Sequence, residues 1–132
     1  MRPGAVVLAK VGWTFTALWL ALRVTGSGSM LLPVVAALLY SAIAYPLVDR
    51  PFLFRPGQAI GRNWAACIGE GLLVVVLTWA LAGILPNAQV SGPALLLAGT
   101  GVAVGEWFVH LALRGPVPVS ERHNRPPGIS DE

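Results

Sequence analysis

The chain has 132 residues, of which 55% are apolar and only 11% charged, with a mean hydropathy of +0.70. A soluble domain carries roughly 25% charged residues, so this composition argues against a water-soluble enzyme or binding domain, and its apolar content excludes a disordered chain. A lone cysteine, Cys67, leaves no internal disulfide and no cysteine-rich metal site, and the length suits one domain.

A helix needs about 20 residues to cross a hydrocarbon core roughly 30 Å thick. Four stretches reach that length. The first, 5–24, is interrupted only by Lys10 and Arg23. Thr25-Gly26-Ser27-Gly28-Ser29 then predicts a short turn. The second stretch, 30–48, is uncharged. Pro33 lies in its first turn, where a missing N–H costs little, and Pro46 predicts a kink near its end. Arg50 precedes Pro51, so this helix should stop near Asp49. A loop follows to Arg62, with Pro51, Pro56, Gly57 and Gly61. The third stretch, 63–85, contains Glu70 and is closed by Pro86. Ser91-Gly92-Pro93 predicts a cap with proline at the first helical position. The fourth stretch, 94–113, contains Glu106 and His110. Residues 115–132 hold four prolines among charges and predict a disordered tail. No stretch alternates like a strand. In hydrocarbon the backbone must satisfy its own hydrogen bonds. The expected fold is therefore all-α: an integral membrane four-helix bundle over 1–114.

Positive charge predicts the orientation. With the N-terminus inside, Arg2, Lys10, Arg50, Arg55, Arg62, Arg114, Arg122 and Arg125 share one side, eight of the nine basic residues, and Arg23 alone faces the other. Both termini are thus expected in the cytoplasm of a multi-pass plasma-membrane protein. The basic residues act as orientation signals and do not form the compact patch that tracks nucleic acid. Arg2, the apolar run Val11–Leu22 and the small residues at 25–29 also outline a signal peptide. Arg23 argues against it, because it sits where a cleavage region should be neutral and small.

Ionisable groups inside a span are costly, so Lys10, Glu70, Glu106 and His110 are the informative residues. Glu70 lies eight residues from Arg62, and Glu106 eight from Arg114, each about 12 Å from that end. His110 is one turn from Glu106 on the same face. The four side chains are expected to meet in the cytoplasmic half, with Asp49 as an interfacial partner through Lys10 or Arg62. Such a network acts as glue between helices, with Lys10 neutralising one glutamate and His110 bonding the other. Alternatively, a membrane carboxylate beside a histidine can serve as a proton or cation site. Glu106 and His110 offer two metal donors on one face and Glu70 a third, too few in register to predict a metal. No nucleophile–base pair is visible, so neither an enzyme nor a cofactor is expected.

Gly101 and Gly105 form a Gly-x-x-x-Gly face that Ala98 extends, suited to close helix packing within the bundle or between copies. Trp64 and Trp107 lie toward one end and Trp19 and Trp79 toward the other, as aromatic belts do. Cys67 reads as a small apolar filler.

The chain resembles the YndM-like family, small four-helix membrane proteins of spore-forming Gram-positive bacteria with a domain of unknown function. The residues that carry the resemblance are Lys10, Tyr45 to Asp49, Ile68-Gly69-Glu70 and Gly105-Glu106-Trp107-Phe108-Val109-His110. Aspartate stands in the family pattern where this chain has Glu70. The resemblance spans about 5–114 and implies four spans in a plasma membrane, without an activity. The expectation is a small structural or accessory membrane protein in contact with lipid. A second copy or another membrane protein is its candidate partner. The alternative is an oligomeric proton- or cation-coupled carrier that uses Glu70 and Glu106.

Overall fold

The computed structural model describes residues 3–26, 29–49 and 60–113. The expected tail and the orientation residues Arg2, Arg50, Arg55, Arg114, Arg122 and Arg125 lie outside them, as does the side chain of Arg62. Among the described residues the chain is all-helical: α1 (Pro3–Val24), α2 (Leu31–Ala44) continued by a π-helical turn (Tyr45–Asp49), α3 (Ile60–Ala82) and α4 (Gly92–Leu113). All four helices, with the π turn counted in α2, are long and apolar enough to cross a membrane. Each helix packs on its neighbours in sequence, and α1 packs on α4 to close the ring.

Polarity is distributed inside out. Lys10, Thr14, Ser41, Asp49, Asn63, Glu70, Thr78, Glu106 and His110 are buried, whereas Leu8, Leu38, Leu72, Leu96 and Phe108 are exposed. A water-soluble bundle shows the reverse, with one apolar stripe turned to the core. The inward stripe of α4 repeats every fourth residue through Ala94, Ala98, Val102, Glu106 and His110. That of α1 runs Val6, Lys10, Thr14 and Leu18. Around them Leu18, Ala36, Tyr40, Val74, Ala98 and Val102 form the apolar middle of the core. A second apolar cluster, Leu22, Leu32, Ala88 and Ala94, closes the end where α1 stops and α4 starts.

The π turn changes the phase of α2. Its inward residues Ala36, Tyr40 and Ala44 keep helical spacing. In a continuous α-helix Asp49 would point about 140° away from Ala44. Pro46 has no N–H to donate to the carbonyl one α-turn back. The wider turn absorbs one extra residue, and Asp49 is turned fully inward. The proline predicted to kink the helix thus re-aims a carboxylate.

The α3 terminus falls at Ala82, three residues before the expected end. Ile84 and Leu85 donate their N–H groups to the Leu81 carbonyl, and Asn87 takes a left-handed φ of 58°. Asparagine tolerates that conformation. Ser91 caps α4 by accepting from the Ala94 N–H at 3.3 Å, which puts Pro93 at the second helical position instead of the first.

Small residues let the helices approach. The Gly101 and Gly105 face turns to α1 inside the bundle: Trp13 donates its indole N–H to the Gly101 carbonyl at 3.1 Å, and its ring fills the space over Gly105. Ala98 lies in the core beside it. A second close crossing joins α3 to α4, where a Cβ on Gly71 would stand 2.7 Å from the Gly99 carbonyl oxygen. Nothing lies within 4 Å of a Cβ placed on Gly69. Gly71→Ala is therefore expected to destabilise the chain by about 1–3 kcal/mol through overpacking. Gly69→Ala should gain up to about 1 kcal/mol of helix propensity. Thermal melts of the two variants in detergent check this pair.

Candidate functional site

Each helix contributes to one buried cluster. The Lys10 ammonium from α1 lies 2.6 Å from Asp49 Oδ2 at the end of the π turn, 2.5 Å from Glu70 Oε1 on α3 and 3.0 Å from Glu106 Oε2 on α4. All four side chains are at most 1% exposed. Lys10 Nζ also stands 5.5 Å from the centre of the Tyr40 ring on α2. The Tyr40 hydroxyl donates to Glu106 Oε1 at 3.0 Å. A buried ion is tolerated only with close partners and satisfied hydrogen bonds, and Lys10 has an oxygen from each of three carboxylates.

His110 extends the cluster toward the start of α3. Its Nδ1 is 2.7 Å from Asn63 Oδ1 and 3.6 Å from Cys67 Sγ. Its Nε2 is 3.2 Å from Asp49 Oδ1 and 3.5 Å from Glu70 Oε2. Asp49 and Glu70 thus lie between the ammonium and the imidazole. At the same end, the rings of Trp64 and Trp107 pack with centroids 4.5 Å apart and planes tilted by 37°.

The expected residues Lys10, Glu70, Glu106 and His110 are brought together. Asp49 joins them through Lys10, and it sits inside the cluster. The division of labour differs from the expected one: Lys10 meets both glutamates, His110 reaches Glu70 and Asp49, and Glu106 meets Tyr40 and Lys10. Three members escaped the sequence reading, and the first is Cys67, read as an apolar filler, whose Sγ lies 3.6 Å from His110 Nδ1. Asn63 shares a helix face with Cys67 and Glu70 at spacings of four and three, a pattern that could have revealed it. Tyr40 could not be placed, because an unbroken helix would set it about 180° from Asp49.

Metal donors also converge more fully than the spacing suggested. One oxygen each from Asp49, Glu70 and Glu106 and a nitrogen of His110 lie within 4.8 Å of one another, as do donor atoms of Cys67, Glu70 and His110. In the larger set, however, the Lys10 ammonium already stands against all three carboxylates. It fills the role of a tethered cation, and a metal would have to share that space with a like charge.

No family model matches the chain, and no curated protein or solved structure does either.

Removing one partner of a buried ion pair typically costs about 3–5 kcal/mol, because the other charge is left uncompensated. Lys10→Met should lose at least that much in thermal or denaturant melts, since three carboxylates lose their common cation. Tyr40→Phe should lose about 1–3 kcal/mol, because the buried Glu106 Oε1 is left without the hydroxyl that donates to it.

Proposed function

We propose that the chain is a small integral membrane protein of structural or accessory role, acting through contacts with lipid or with another membrane protein. One observation carries the reading. A single ammonium binds a carboxylate from each of the three other helices, inside a bundle whose outer surface is apolar. That arrangement fixes which helices are neighbours, as polar contacts between membrane helices do. The outer surface carries the contacts. Ile68, Leu72, Leu96, Val104 and Phe108 line an apolar groove between α3 and α4, with Gly71 and Gly99 in its wall.

The chain crosses the plasma membrane four times in this reading, with both termini in the cytoplasm. Eight of nine basic residues on one side support that orientation. The resemblance to the YndM-like family rests on Lys10, Tyr45 to Asp49, Ile68-Gly69-Glu70 and Gly105 to His110, and Lys10, Asp49, Glu70, Glu106 and His110 among them meet in the cluster. No chemical conversion is part of the reading. The carrier alternative draws on the excess of carboxylates over Lys10, with Glu70 and Glu106 as coupling groups. It requires more than one copy, because four tightly packed helices enclose little space of their own.

Two measurements test the accessory reading. Glu70→Gln should melt several degrees below the wild type near neutral pH, because the glutamate is a partner of both Lys10 and His110. Liposomes containing the purified chain should pass protons and monovalent cations no faster than empty liposomes. A flux that vanishes in Glu70→Gln overturns the accessory reading in favour of the carrier.

A further inference from the structure

Among the described residues the cluster's charges do not balance. Three carboxylates face one ammonium, and all are buried. Net charge in a low-dielectric interior is strongly unfavourable, so this arrangement draws further positive charge. A metal ion is poorly suited, because the Lys10 ammonium already stands against all three carboxylates and a second cation would share their space with a like charge. Protons need no such room.

His110 is placed to hold one proton more than a neutral ring. Its two ring nitrogens face oxygen acceptors, Asn63 Oδ1 on one side and Asp49 Oδ1 on the other. A ring that donates from both nitrogens satisfies both contacts. Two cations then face three carboxylates. Asp49 and Glu70 each touch both cations. Glu106 is held by Lys10 and by the neutral Tyr40 hydroxyl. Oε2 of Glu70 and Oε2 of Glu106 are both buried without a hydrogen bond among the described residues, but Glu70 Oε2 stands 3.5 Å from the His110 ring, whereas Glu106 Oε2 stands 3.0 Å from Lys10 Nζ.

We propose that Glu106 is a proton-binding site, carrying an exchangeable proton that balances the charge of the buried cluster. The titratable groups that face it are Lys10 from α1, Tyr40 and Asp49 from α2 and its π turn, Cys67 and Glu70 from α3, and His110 one turn along α4. The proton resides on a carboxylate oxygen inside the bundle, and its release leaves the cluster with one uncompensated negative charge. This inference concerns what the site binds, and it stands whether the chain acts as an accessory or as a carrier.

Infrared difference spectroscopy of the full chain in lipid vesicles, with pH as the only variable, tests it. The wild type should show the carbonyl band of a protonated carboxylic acid near neutral pH, and alkaline pH should remove it. Glu106→Gln should lose that band. It should melt no lower than the wild type, because glutamine is a neutral group of nearly the same shape as protonated glutamate. Glu70→Gln should melt lower, since that carboxylate is the charged partner of two cations. The proposal is overturned by a wild type without the band, or by a band that survives Glu106→Gln. A Glu106→Gln chain that melts as low as Glu70→Gln, or does not fold, overturns it as well. Ion flux in liposomes decides the accessory reading separately, so the two can fail independently.

Discussion

A lysine ammonium removed from water must find negative charge, and here it finds three carboxylates on three different helices. The rest of the bundle follows from that demand. The helices cannot exchange places without separating Lys10 from a partner, and they cannot rotate without turning an ion toward the apolar surroundings. Packing of Leu, Val and Ala side chains is far less selective, because many arrangements bury similar apolar area. Close-packed glycines then let the backbones come near enough for short side chains to meet. Gly71 against Gly99 draws α3 to α4, and Trp13 over Gly101 and Gly105 draws α1 to α4.

Much of this could be read from the residues. Four long apolar stretches predicted four helices, and the matched depths of Glu70 and Glu106 predicted that they would meet. The fourfold spacing of Glu106 and His110 put both on one face of α4. Each of these inferences used only the rise and the pitch of a regular helix. The choice between uses of the Gly101–Gly105 face required the neighbour itself. Once Trp13 lies across it, the face is spent inside the bundle.

The remainder depended on departures from regularity. Asp49 looked like a residue at the end of a helix, facing the membrane surface, and its inward turn arises from the π-helical turn at Tyr45–Asp49. Tyr40 was invisible for the same reason, since its relation to Asp49 makes sense only with the altered phase. Gly71 and Gly99 carry no signature as a pair, because they lie on separate helices and neither is part of a Gly-x-x-x-Gly pattern along its own helix. Asn63 sat at the expected boundary of a span, where a polar residue needs no special explanation. Its contact with His110 gives it one.

The π turn also bears on how relatives of this chain should be aligned. Such a turn is an α-helix that contains one residue more than its geometry requires. A related sequence with an unbroken second helix would bring its carboxylate to the same place one residue sooner. A single-residue gap opposite Pro46 or its neighbours would then mark conserved geometry, while a gapless alignment would pair Asp49 with a residue on the outer face. Within this stretch, equivalence between chains is a matter of angle around the helix axis, and counting residues misplaces it by one.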